Sequence, residues 1–200
     1  MKKSDIKVLF NKLKKTKYSK KNRFKFRNLV HKLEVAVAGK KNHKRGVWEY
    51  KITPTEYFFK KRGIPISKKY LKSVNTLSSF KVNNSFKLKK GIKIIPLHIR
   101  NKVINKAHIN LLVIKGKNVY RVDPSYSKHS TIKEKNVKKG LNEFFKKYSL
   151  KYRGIYKNSK YIKHGHLCRF VTPLEYFHKN ISYSQIKRNI INYFNELINN

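Results

Sequence analysis

The chain has 200 residues, 51 Lys and Arg against nine Asp and Glu, a formal net charge of +42 and an isoelectric point near 10.4. Such charge implies association with phosphate or another polyanion, yet 39% hydrophobic and 13% aromatic residues exclude a purely electrostatic tail and suffice for one core. One cysteine excludes an intrachain disulfide framework and a zinc site built on several thiolates, and no run approaches the roughly 18 apolar residues of a membrane helix.

Residues 2–27 carry twelve basic side chains and one acid, Asp5. Ile6, Leu9, Phe10 and Leu13 recur at helical spacing, predicting an amphipathic helix followed by a loose basic arm near residues 14–25. Residues 1–27 thus form a basic segment ahead of a single domain over 28–200. Lys12, Lys14, Lys15, Lys17, Lys20, Lys21, Arg23, Lys25 and Arg27 are its candidate nucleic-acid contacts. The N-terminus lacks the apolar stretch of a signal peptide, so the protein is expected to be soluble or held to a surface by charge.

Residues 28–39 predict a strand or a short helix stopped by Gly39, and residues 48–52 a short strand. Thr53 as cap, Pro54 at the first helical position and Glu56 three after the cap predict a helix start before Tyr57, Phe58 and Phe59. The same tetrad recurs as Thr172, Pro173, Leu174 and Glu175, read as a second, convergent helix start. Residues 69–87 are too polar to assign. Residues 91–99 predict a strand ending near Pro96, which cannot donate to a central ladder. Residues 111–114 and 119–122 predict a hairpin turning at Lys115 to Asn118.

Val137, Leu141, Phe144, Phe145 and Tyr148 predict a helix with an aromatic stripe, at some cost from Gly140. A strand is expected over 150–156. Ser182 and Gln185 match a capping box, ahead of a helix with Ile186, Ile190, Tyr193, Phe194, Leu197 and Ile198 on one face. The fold class is therefore α+β: a single domain with a small mixed or antiparallel sheet flanked by helices.

Within this framework three residues form a catalytic set. A cysteine nucleophile needs a base, and the base needs an orienting group. His108 and Asp123 lie near opposite ends of the predicted hairpin, so antiparallel pairing returns them to one another, with Cys168 as the nucleophile. A helix starting at Cys168 would stabilise its thiolate and supply oxyanion donors. Pro173 leaves two options: a helix that begins tightly at Cys168, or a cysteine on the preceding loop. Singly, each residue has an ordinary structural explanation, as a buried apolar thiol, a strand-opening histidine and a turn-forming Asp before Pro124.

The segment IIPLHI, then His108 with Ile109 and Leu111 to Ile114, then VYRVDPS resemble the core of papain-like cysteine proteases of the adenovirus-maturation and SUMO-protease superfamily. The resemblance covers residues 91–178 and keeps the order His, acid, Cys. Asn110, two residues after the histidine, and Arg121 before Val-Asp-Pro look most like versions encoded by large DNA viruses and virophages. The resemblance implies a papain-like core with His108, Asp123 and Cys168 catalytic. It also implies processing of viral capsid or core proteins during maturation, commonly after small residues such as Gly, in the virion or the host cell's virus factory. Nucleic acid would be an activator, and no other cofactor is required.

Three positions depart from that family. The Gln usual before the cysteine is missing, leaving Asn158 at longer spacing, or the backbone alone, as oxyanion donor. Ile109 replaces an aromatic residue, and Arg169 stands where a small residue is expected. These departures are those of a divergent enzyme or of an inactive descendant used in assembly. Two further readings compete. His164, His166, Cys168 and His178 could hold a metal, although no familiar ligand spacing accompanies them. A non-enzymatic, nucleic-acid-binding virion protein would use Lys-rich segments interleaved with Tyr and Phe for phosphate contact and base stacking.

Overall fold

Residues 3–38, 52–76, 79–83, 85–102, 106–123, 134–156, 167–178 and 180–199 are described by the computed structural model. Six strands, β1 (Leu71–Asn75), β2 (Phe80–Val82), β3 (Ile94–Asn101), β4 (Lys106–Lys115), β5 (Asn118–Val122) and β6 (Lys151–Ile155), form one sheet in the order β2-β1-β3-β4-β5-β6. β1 with β3 and β5 with β6 run parallel, and the remaining neighbours are antiparallel. The sheet is therefore mixed.

Alternation along the strands sends side chains to two cores. Leu71, Ile95, Leu97, Leu112 and Val119 meet Val137, Leu141, Phe144 and Phe145 of α4 (Glu134–Lys147). On the opposite face Ile94, Leu111, Val113 and Val122 meet Phe59 of α3 (Pro54–Lys60) and the aromatic end of α5 (Cys168–Phe177). Behind α3 and α5 a helical layer is completed by α1 (Lys3–Lys15), α2 (Arg23–Ala38) and α6 (Tyr183–Asn199). The result is an α+β domain with helices on both faces of a six-stranded sheet.

The first basic segment joins this core. Phe10, Leu13, Tyr18 and Phe26 are buried, and the Tyr18 ring stacks on Phe26 at 4.4 Å. Apolar side chains at helical spacing thus dock α1 on α2 and α6, and the expected loose arm near 14–25 is instead a packed connection into α2. Residues 28–38, expected as a strand or short helix, are the continuation of α2.

Thr53 caps α3 through its Oγ1, which accepts from Glu56 N at 3.1 Å, with Pro54 at the first helical position. At α6 the capping box closes both ways, Ser182 N to Gln185 Oε1 at 2.7 Å and Gln185 N to Ser182 Oγ at 3.2 Å. The segment too polar to assign contains β1 and β2. The strand expected to stop near Pro96 runs through it to Asn101. Ile94, which shares the backbone direction of Pro96, bonds Pro65 O and Ser67 N on the β1 side, and the β1 register begins only at Leu71 opposite Leu97. Pro96 therefore faces a gap in the ladder, where no donor is needed. The expected strand at 48–52 falls outside the described residues except Ile52. No helix among the described residues is long and apolar enough to cross a membrane.

Candidate active site

β4 outruns its neighbour. Its pairing with β3 spans Lys106 to Val113, but its pairing with β5 starts at Leu111 opposite Val122, so the outer edge of residues 106–110 is left to another element. The N-terminal turn of α5 occupies it. Thr172 Oγ1 shares its proton between Ile109 O at 3.0 Å and Cys168 O at 2.7 Å, and the Ile109 backbone hydrogen-bonds the Cys168 sulfur. This docking brings Cys168 beside the strand that bears His108.

The hairpin closes the other side. Gly116, with φ of 57°, takes the first central position of the two-residue turn between paired Lys115 and Asn118, where glycine alone is relaxed. The chain then returns along β5 to Asp123. His108 Nε2 lies 2.7 Å from Asp123 Oδ1, and Cys168 is close enough to the imidazole for each group to shift the other's titration. With Nε2 engaged by Asp123, Nδ1 is the nitrogen left for the thiol. His108 thus lies between Asp123 and Cys168, so the three residues singled out in the sequence are brought together.

The electrostatics follow from that geometry. Burial disfavours the charged imidazole of His108, but hydrogen bonds to Asp123 and Cys168 and the charges of both outweigh it, pushing His108 up to about 10. Burial likewise opposes a thiolate at Cys168, but the His108 hydrogen bond and charge, the Ile109 backbone and the Arg169 charge hold it below the usual thiol range. Both shifts run in the direction that favours a thiolate beside an imidazolium. Cys168 is buried, with 7% of its surface exposed, and the His108 side chain retains 18%.

Asp123 is itself held from behind. Arg121, fully buried, lies 3.1 Å from Asp123 Oδ2, donates to Asn110 Oδ1 at 3.1 Å and reaches Glu134 Oε2 at 2.5 Å. Burial works against the guanidinium, but Asp123 and Glu134 keep it charged. Tyr152 donates to the other oxygen of Glu134. Next to Cys168, Arg169 clamps fully buried Glu34 of α2, with Nε to Oε1 at 2.7 Å and a second bond from Nη2 to Oε2.

α5 begins at Cys168, which selects the tight start, and the Thr172 tetrad lies inside the helix instead of opening it. Pro173 cannot donate to Arg169 O, and Thr55 Oγ1 of α3 donates to that carbonyl instead at 3.2 Å. The first bonds closing the helix run from Phe170 N and Val171 N to Leu167 O, so the Cys168 and Arg169 amides precede the ladder. They lie where a developing oxyanion would need donors. Asn158, His164 and His166 fall outside the described residues. No group of three metal-ligating side chains occurs among the described residues.

The candidate nucleic-acid contacts lie on α1, α2 and their connection. Lys12, Lys14, Lys15, Lys17, Lys20, Lys21 and Lys25 are exposed, and Arg23 and Arg27 half-buried. Arg23 and Arg27 flank the ring of Phe24 at 4.4 and 5.4 Å, and Phe24 is 45% exposed.

Sequence reasoning missed Glu34, Glu134 and the structural part played by Arg121. The available signal was scarcity: with nine acids in the chain, each is a candidate internal counter-charge, and Glu34, Asp123 and Glu175 are buried. No family model, curated protein or solved structure matches the chain.

Proposed function

We propose that the chain is a cysteine endopeptidase, with Cys168 as nucleophile, His108 as base and acid, and Asp123 as the group that orients His108. The single observation carrying this reading is the His108 ring, hydrogen-bonded to Asp123 and electrostatically coupled to Cys168 at the start of a helix. A buried structural cysteine needs neither partner.

In the reaction, the Cys168 sulfur attacks the scissile carbonyl carbon, and negative charge moves to its oxygen near the Cys168 and Arg169 amides. Collapse breaks the C–N bond while His108 gives its proton to the departing amine. Water then attacks the thioester, His108 takes its proton, and the C–S bond breaks to release the carboxylate and restore the ion pair. The backbone supplies the oxyanion donors in this scheme, with Asn158 an additional one. The resemblance extends the proposal to viral capsid or core proteins as substrates, cleaved in the virion or virus factory, and to a papain-like core.

The test is cleavage of a proteome-derived peptide library by the full chain. New termini are expected with the wild type and none with Cys168→Ser. Equal termini from both proteins would remove Cys168 from the chemistry.

A second reading has its own observation. Exposed Phe24 between Arg23 and Arg27, on a face rich in lysine, suits base stacking with phosphate contact on single-stranded nucleic acid. The reading is of a polyanion-binding protein, whether or not it also cleaves peptides. Its affinity for an oligonucleotide should fall steeply with salt and be unchanged by Cys168→Ser.

A further inference from the structure

At the outer edge of β1 lies a cavity of about 350 Å³ whose lining includes Lys68, Lys69, Lys72, Asn83 and Ser85 and, among the described residues, no carboxylate. Asn83 Oδ1 accepts from Ser85 N at 2.9 Å, which leaves Nδ2 as the donor end of the amide. Asn83 N in turn donates to Lys72 O at 2.9 Å, tying this loop to the strand. The cavity thus offers three ammonium groups together with amide and hydroxyl donors, the complement of a carboxylate.

Its position relates it to the nucleophile. Lys72 is in register with His98 on β3, and His98 with Ile109 on β4, the residue whose backbone bonds Thr172 and Cys168. Directly opposed residues share a face, so this row lies on the α5 side of the sheet. Two strand spacings separate Lys72 from Ile109, about 10 Å, or roughly three residues of extended peptide. Tyr70 bridges the interval: it lines the cavity, sets its ring edge-on to His98 at 6.4 Å, and is near enough to Cys168 to sense its charge.

We infer that this cavity is a specificity subsite for an acidic side chain of the peptide substrate, about three or four residues from the scissile bond. The inference rests on the endopeptidase reading. Net charge alone would favour acidic peptides at every position, whereas a subsite selects one position. A cavity of this size takes one or two side chains, while the face built for a polynucleotide, with its stacking ring, lies on α2.

The test is the peptide library cleaved by the full-length wild type and by the triple variant Lys68→Glu/Lys69→Glu/Lys72→Glu, with iodoacetamide alkylation of Cys168 measured alongside. Wild type should enrich Asp and Glu several-fold at one position, and the triple variant should replace them with Lys and Arg while its thiol still alkylates. A triple Lys→Gln variant, which keeps the volume without reversing charge, should lose the enrichment and covers the case in which the Glu variant does not fold. Cleavage without a positional acid preference, or a preference unchanged in the variants, would overturn the subsite and leave the endopeptidase intact. Fast alkylation with no cleavage of any peptide would overturn both. Weakened binding of an oligothymidine with unchanged cleavage preference would assign the lysines to nucleic acid and overturn the subsite.

Discussion

Asp123 uses each oxygen for a different cation, Oδ1 for His108 and Oδ2 for Arg121. Asp123→Asn keeps the shape and removes the charge that holds His108 protonated, so the thiol loses its counter-ion. Thiol alkylation at neutral pH should fall on the order of 10²-fold or more, with its pH profile displaced upward; an unchanged profile would deny Asp123 an orienting part. Stability carries a second signature. The raised His108 adds stability that is complete below 6.5, its ordinary value, and is lost as pH rises through about 10. The lowered Cys168 adds stability present above 9.0, its ordinary value, and lost as pH falls through its folded value. Below 9.0, and above both 6.5 and the lowered Cys168 value, the two slopes cancel, so the pair's contribution is level in that window and declines on both sides. Chemical denaturation of wild type against the His108→Ala/Cys168→Ala double variant should yield a difference of that shape; a pH-independent difference would mean that no ion pair exists. At this scale the sequence displayed the three clustered residues, His108, Asp123 and Cys168, because hairpin spacing and a lone cysteine are local. Glu34 was hidden because its partner Arg169 lies 135 residues away, and the Arg121–Glu134 pair because it depends on how α4 packs beside the hairpin.

The two Thr-Pro-x-Glu tetrads show how an element can mislead. At Thr53 the pattern starts a helix, but at Thr172 it lies one turn inside α5, because Thr55 of α3 supplies the donor that Pro173 cannot. Local chemistry is identical in the two places, and only packing between α3 and α5 separates them. Thr55→Val should cost about 1–3 kcal/mol by leaving the Arg169 carbonyl unpaired. The cost should shrink in a Pro173→Ala background, where the restored amide can donate; equal costs in both backgrounds would contradict the compensation. Gly140 shows the same limit. Its sequence suggested only a helix penalty, whereas a Cβ there would sit 2.1 Å from Phe80 O of β2. Gly140→Ala should therefore lower stability by about 1–3 kcal/mol in a denaturant titration, despite alanine's better helix propensity. Clear starts such as α6 were legible because their capping partners lie within four residues.

For the whole molecule, the basic N-terminal segment is part of the helical layer instead of a detached tail. α1 and α2 bury Phe10, Leu13 and Phe26, and Glu34 ties α2 to the residue after the nucleophile. The helical spacing of α1 was readable, but its docking was not, because amphipathicity alone does not identify what covers the apolar face. Leu13→Ala should cost about 2–5 kcal/mol in thermal or chemical unfolding, a loss that a dangling arm would not produce. The central claim concerns the thiol at the heart of this body. Its most direct test is the alkylation rate of Cys168 at neutral pH in the wild type and in His108→Ala, with folding checked by circular dichroism. An activated thiol predicts rapid labelling of the wild type and labelling slower by about 10²-fold or more in the folded variant. Equal, slow labelling of both would contradict it.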